Sequence, residues 1–103
     1  MSQPDTLSTT AVVVVATITA HEGQLDTLLA ALREAVPAVR EEPGCEAYVL
    51  HQDPARPERL VMIERWSSAQ DLERHAQAPA FVKLAAQLRG RATLDIVKLT
   101  PLF

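Results

Sequence analysis

With 103 residues, 48% of them apolar and 22% charged, the chain has the makeup of one folded domain, and a domain of this size buries roughly 65% of the surface that its unfolded chain exposes. A formal charge of -3 gives no pull toward phosphate backbones, and the 10 Lys and Arg are scattered, which argues against nucleic acid as a partner. The lone Cys45 excludes an internal disulfide, residues 1–10 lack the basic and apolar regions of a secretory signal, and the longest apolar run, residues 11–16, falls far short of the ~20 residues that span a bilayer; no membrane segment and a cytoplasmic location are expected.

Residues 1–10, MSQPDTLSTT, carry few large apolar groups and are expected to form a mobile tail before a single domain over residues 11–103. The stretch AVVVVATITA, residues 11–20, is β-branched and apolar at nearly every position and predicts a strand covered on both faces. Over residues 23–41, Leu25, Leu28, Leu29, Leu32, Val36 and Val39 recur at spacings of three and four and predict an amphipathic helix. Pro37 is expected to weaken or kink it, and Pro43 and Gly44 to end it, with Gly44 as a left-handed cap. CEAYVLHQ (residues 45–52) and RLVMIERW (residues 59–66) read as two strands joined through the Pro-rich loop DPARPE, a hairpin with a longer connection. Ser68 is placed to cap a short helix with Asp71 as its capping acid, Pro79 to interrupt that helix, and Phe81, Leu84, Ala85 and Leu88 to carry a second stripe to Gly90. Residues 93–100 predict a last strand.

The order β-α-β-β-α-β, with a broken second helix, is the ferredoxin-like α+β arrangement, in which both helices cover one face of an antiparallel sheet. Alternation sends Val12, Val14, Ala16 and Ile18 to one side of the first strand and Val13 and Val15 to the other, and it sets Val61 and Ile63 opposite Leu60 and Met62. Both faces are apolar, yet one chain supplies helices for only one of them, so a homodimer through the sheet face is expected.

His21, His51 and His75 stand more than twenty residues apart with no second ligand nearby, Gly23, Gly44 and Gly90 form no dinucleotide fingerprint, and no Ser occupies a nucleophile elbow. The expectation is therefore no metal and no cofactor. What remains is a constellation of Tyr48, Glu64, Trp66 and His75. Period two puts Leu60, Met62, Glu64 and Trp66 on one face of their strand, and Leu72 and His75 share one side of the short helix, so His75 is expected over Trp66 or Glu64. The walls of the pocket so formed are expected from Leu60, Met62, Leu72, Phe81 and Leu84. A carboxylate on an apolar strand is costly to bury, so Glu64 must be paired, exposed at the strand end or functional; Arg40 and Arg74 are candidate partners, and Arg65 points to the other face. Each of these residues also has a bland reading: Trp66, Tyr48 and Cys45 pack well as core, and His75 can bridge helix and sheet.

The runs EEPGCEAYVL (residues 41–50), VMIERW (residues 61–66) and SSAQDLERHAQAPAF (residues 67–81), in this order, resemble the antibiotic biosynthesis monooxygenase (ABM) family, most closely its bacterial quinol monooxygenase branch, over roughly residues 12–99. The resemblance implies a ferredoxin-like dimer whose paired sheets form a barrel, a pocket between sheet and helices, and oxygenation of a small aromatic substrate by molecular oxygen without flavin, haem or metal. In such chemistry the ionised phenol or hydroquinone is itself the electron donor, and the protein supplies a base, oxyanion donors and a dry pocket. Trp66 and Tyr48 can donate hydrogen bonds, His75 can accept the phenolic proton, and Glu64 can orient His75 or act as the base. Haem-degrading relatives commonly use an Asn on the first strand and a His on the last helix, where this chain has Thr17 and Thr19 and a helix without His; several small-substrate members carry a His after the helix-breaking Pro, where this chain has Ala80. Two other classes stay open: an isomerase or other proton-transfer enzyme on the same scaffold, and a small-ligand-binding dimer without turnover.

Overall fold

The computed structural model describes residues 10–103. The tail expected over residues 1–10 lies outside the described residues except for its last position, Thr10. Among the described residues the order is β1 (Val12–Ala20), α1 (Leu25–Arg40), β2 (Cys45–Asp53), β3 (Arg56–Trp66), α2 (Ala69–Gln77), α3 (Pro79–Leu88) and β4 (Ala92–Leu99). The strands form one antiparallel sheet in the order β2-β3-β1-β4, the ferredoxin-like topology. No described helix is long and apolar enough to cross a membrane.

Strand alternation decides what the sheet buries. In β1, Val14, Ala16, Ile18 and Ala20 are buried under the helices, with Leu60 and Met62 beside them on β3. The intervening Val13, Val15, Thr17 and Thr19 are only half-buried. The expectation that β1 is covered on both faces thus fails within one chain, because all three helices lie on one side. β4, at the sheet edge, is exposed along nearly its whole length.

Helix α1 buries Leu28, Ala31, Leu32, Ala35 and Val39 against β2 and α3, while Leu25, Leu29 and Val36 flank that line at intermediate burial. The stripe is rotated toward the two alanines, whose small side chains let the helix approach its neighbours. Fully burying each of the large members, Leu28, Leu32 and Val39, is worth about 1.5–3 kcal/mol. The helix runs through Pro37 to Arg40 without a break. Only one backbone donor is lost there, and Pro37 lies on the exposed side, where water can satisfy the freed carbonyl.

Two connections differ from expectation. The hairpin closes through a two-residue turn at Pro54 and Ala55, braced by the Ala55 N–H donating to Asp53 Oδ1 at 2.9 Å. Its strands continue through the stretch read as a loop. A register shift between Gln52 and Asp53 takes up the extra residues of β3, and Pro57 sits in that irregular stretch, where a missing donor costs no ladder bond. Gly44, expected as the helix cap, comes three residues after the actual C-cap, Glu41. With φ +79 it turns the chain into β2, and its carbonyl accepts from the Ser67 N–H at 2.9 Å.

The start of α2 follows from its residues: Ser68 Oγ accepts from the Asp71 N–H at 3.1 Å, and Asp71 Oδ2 accepts from both the Ser67 and Ser68 hydroxyls. The Ser67 hydroxyl, ahead of Ser68 and Arg74, holds the Asp71 carboxyl below its usual range. This Asp71 side chain fills the space over Gly44, where an added Cβ would lie 2.2 Å from Asp71 Oδ2. Gly90 shares the backbone conformation, φ +78, but has nothing within 4 Å of an added Cβ. Gly90→Ala should therefore lose only ~1–2 kcal/mol for the left-handed backbone, and Gly44→Ala roughly 2–5 kcal/mol once overpacking is added. Urea unfolding of the two variants side by side checks this; equal losses would show that the Asp71 contact does not matter.

Candidate active site

Period two on β3 sets Glu64 beside Trp66, and the register sets Tyr48 of β2 opposite Glu64. Above them α2 lowers His75 onto the sheet. The His75 ring stacks on Trp66 with centroids 4.6 Å apart and planes inclined by 30°. Phe81 of α3 meets it at 4.9 Å, and Tyr48 meets it edge-on at 5.8 Å. The structure thus brings together all four residues of the expected constellation and adds Phe81.

The polar tips of this cluster are engaged in a specific way. The Trp66 Nε1–H donates to Glu64 Oε1 at 2.9 Å, in the buried layer. His75 Nδ1 lies 2.8 Å from Glu42 Oε1. A carboxylate only accepts, so Nδ1 carries the proton, and in the neutral ring Nε2 keeps the lone pair. Nε2 has no partner among the described residues. Neither arginine considered for Glu64 is its partner: Arg40 donates to the Tyr48 carbonyl at 3.0 Å, and Arg74 faces Asp71 at 3.5 Å. Arg65 lies on the opposite face, paired with Glu46 at 2.8 Å.

Burial dominates the titration of the site. It pushes the Glu64 carboxyl above its usual range, with the Trp66 hydrogen bond and then the neighbouring His75 acting against it. It pushes the Tyr48 phenol up as well, reinforced by the charges of Glu64 and Glu42, so Tyr48 keeps its proton. Cys45 is also raised, chiefly by burial, and remains a thiol.

A cleft of about 350 Å³ opens between sheet and helices, lined by Val12, Val14 and Glu64 from one side and by Leu72, His75 and Phe81 from the other. Its walls are mostly apolar, and its volume is near the lower end of the ~300–1,000 Å³ typical of small-ligand sites. Ile96 and Lys98 of β4 and Glu73 of α2 complete the wall. Of the walls expected from the sequence, Leu72 and Phe81 are there; Leu60, Met62 and Leu84 are core residues, exposed by 0%, 1% and 3%, and do not line it. Trp66, also 0% exposed, supports the site from within the core, its one N–H already given to Glu64. The residue that sequence reading missed is Glu42, whose signal was the acidic pair just before Pro43 and Gly44. A larger depression of about 540 Å³ near His21, Asp26 and Glu58 is a surface groove where the turn between β1 and α1 meets β3. Both ring nitrogens of His21 are engaged there, by Gly90 O and Thr93 Oγ1. Among the described residues no group of three His, Cys, Asp or Glu is placed to hold a metal ion.

A two-layer α+β fold, with an imidazole and a buried carboxylate lining a mostly apolar cleft between sheet and helices, defines the class of this protein. The family model for "Antibiotic biosynthesis monooxygenase" matches residues 11–87, and the chain belongs to that family. It is similar to the Escherichia coli K12 protein named "Probable quinol monooxygenase YgiN", with 35% identity over 63 residues, 53% of this chain and 61% of that protein, so the match spans less than two thirds of the relative's length. Among solved structures it resembles PA3566 from Pseudomonas aeruginosa, with a TM-score of 0.87 and 33% identity over 93% of this chain and 98% of that one. Rv0793 from Mycobacterium tuberculosis aligns with a TM-score of 0.85 and 27% identity over 90% of this chain and 96% of that one.

The burial of Glu64 makes a pH-dependent expectation. A carboxyl raised in the folded state binds its proton more tightly than in the unfolded chain, so the protonated form stabilises the fold below the ordinary Glu value of about 4.3, and this contribution is lost as pH rises toward the raised folded value. Glu64→Gln keeps an acceptor for the Trp66 N–H and cannot ionise. Its stability relative to the parent should therefore improve as pH rises from about 4.3 and then level off. Urea unfolding at a series of pH values measures this, and a difference that does not change with pH would refute a desolvated Glu64.

Proposed function

We propose that this chain is a cofactor-independent monooxygenase that takes a quinol or related aromatic metabolite into the cleft lined by His75, Glu64 and Phe81. The observation that carries the reading is His75, with Nδ1 tied to Glu42 and Nε2 without a partner among the described residues in a cleft whose walls are mostly apolar. A neutral imidazole held in that tautomer is a general base for a phenolic proton. Removing the proton gives an electron-rich anion that can itself reduce molecular oxygen. For a hydroquinone, one atom of O2 enters the ring and the other leaves as water, giving a hydroxyquinone.

The neighbours of His75 fit that task. As the ring takes up the proton, the Glu42 carboxylate keeps its hold on Nδ1–H and favours the new positive charge. Trp66 contributes through the face on which His75 stacks and through the hydrogen bond that fixes Glu64. Tyr48 serves as a buried, protonated wall of the ring cluster. Apolar walls from Val12, Leu72 and Phe81 keep water from the oxygenated intermediate. The match to the family and the likeness to a quinol monooxygenase support the reaction class. The same pair of groups also suits a proton-transfer enzyme that needs no oxygen, since His75 and Glu64 line one cleft.

We further propose that the protein works as a homodimer through the uncovered sheet face. Val49, Ile63, Val97 and Leu99 are 42%, 40%, 44% and 47% exposed there, and they join the half-buried Val13 and Val15 in one apolar surface. A second copy, related by a two-fold axis, covers such a self-complementary face.

In aerobic assays with a hydroquinone, His75→Gln should lower turnover per folded protein by ~10²-fold or more, and Glu42→Gln, which keeps an acceptor but loses the charge, should lower it less. Oxygen uptake and product should both stop under argon; anaerobic product would transfer the site to the proton-transfer reading. Melting temperatures on the same samples separate lost chemistry from lost fold. Light scattering should find a dimer at micromolar concentration and a monomer for Ile63→Glu; a parent protein that is monomeric there would rule out the sheet interface.

A further inference from the structure

Lys98 is the feature of the cleft that the proposed base chemistry leaves unused. Alternation along β4 puts Leu94, Ile96 and Lys98 on the helix side of the sheet, where the register pairs them with Ile18, Ala16 and Val14. The two apolar members extend the greasy wall. Lys98 breaks the pattern at the end of β4 nearest Val14 and Glu64, and among the described residues it is the one Lys or Arg lining the cleft. Most other cations here are engaged: Arg56, Arg65, Arg74 and Lys83 face carboxylates, and Arg40 and Arg91 donate to backbone carbonyls. Beyond the backbone pairing of β4, the Lys98 side chain makes no ion pair or hydrogen bond among the described residues.

The acids in the same cleft do not cancel it. Glu64 is buried, and its carboxylate accepts from Trp66. Glu73, on exposed surface of α2, makes no ion pair among the described residues and forms no bridge to Lys98. An ammonium on a long apolar stem, beside apolar walls that lower the local dielectric, attracts an anion that is itself attached to an apolar body. His75 Nε2 takes a hydroxyl in the same cleft. Ligands that satisfy both ends are flat aromatics with a phenolic hydroxyl and a carboxylate on the same ring system.

We propose that Lys98 makes this cleft selective for anionic hydroxyarenes, aromatic acids whose carboxylate binds the Lys98 ammonium while the phenolic hydroxyl meets His75. This rests on the reading of His75 as the base, but the Lys98 contact is made on binding and is measurable without turnover.

The probes are 6-hydroxy-2-naphthoate and 2-naphthol, which share ring and hydroxyl and differ in the carboxylate, set at the far end of the ring system from the hydroxyl. Binding to the full-length protein is followed under argon by calorimetry and by quenching of the lone Trp66. The parent should bind the naphthoate ~10-fold more tightly than the naphthol, as expected of a charge-assisted hydrogen bond that is partly open to water. Salt should narrow the gap. Lys98→Gln should abolish the preference while leaving naphthol binding unchanged, and Lys98→Arg should restore it. Equal binding of the two probes by the parent, no binding of either, or an equal loss of both in Lys98→Gln would overturn the proposal. The same assay on His75→Gln keeps the two readings apart. A naphthoate preference that survives there while turnover also survives leaves Lys98 as the selector and removes His75 as the base.

Discussion

The site depends on one docking contact, the turn between α1 and β2 clamped against the start and inner face of α2. Three links make the clamp: Glu42 holds His75 Nδ1, the Gly44 carbonyl takes the Ser67 N–H, and the bare Cα of Gly44 leaves room for the Asp71 side chain. A helix of nine residues is marginal on its own, so its position is set by such contacts more than by its propensity. Because the links flank α2 at its first turn and at His75, they fix both where the helix lies and how the imidazole faces the sheet. A side chain at position 44 would press on Asp71, and loss of Glu42 would free the His75 ring to turn.

Given that clamp, the chemistry of the cleft follows from how its polar groups are spent. Among the described residues, no fully buried side-chain polar atom lacks a hydrogen-bond partner. Trp66 spends its N–H on Glu64, and His75 spends Nδ1 on Glu42. Burial disfavours the ionised forms of Tyr48 and Glu64, so neither readily takes the role of a charged group facing the ligand. Apart from the exposed Glu73, the groups left uncommitted among the described residues lining the cleft are the second nitrogen of His75 and the ammonium of Lys98, one able to take a proton and the other to hold an anion. An apolar body between these two ends is the shape that the walls accept.

The sheet shows the same economy at a larger scale. One helix layer covers Val14, Ala16, Ile18, Leu60 and Met62, and nothing among the described residues covers Val15, Ile63 or Val97. Both faces carry apolar side chains across their middle, the composition of a sheet buried on both sides. The exposed face carries the Arg65–Glu46 pair near one end and apolar side chains across its middle. That pattern of apolar centre and charged margin is what an interface between like surfaces needs.

Much of this was legible in the chain itself, because alternation and helical spacing are local properties that neighbours in sequence already express. They placed the seven elements in order, predicted the break at Pro79 and the Ser68 cap, and put Tyr48, Glu64, Trp66 and His75 on surfaces that face each other; the ABM resemblance rested on the same stretches. What local pattern cannot encode is distance across the fold. Glu42 and His75 lie 33 positions apart and meet only because the turn and α2 dock. Whether a same-face residue lines the cleft or fills the core depends on where a helix crosses it, so Leu60, Met62 and Leu84 became core while Val12, Ile96 and Lys98 became wall. The partner of the Trp66 N–H was undetermined for the same reason: a buried carboxylate two residues away competed with any ligand for it, and only the packed structure decided that contest, because an unpaired Glu64 in that layer would cost more than a donor withheld from the cleft.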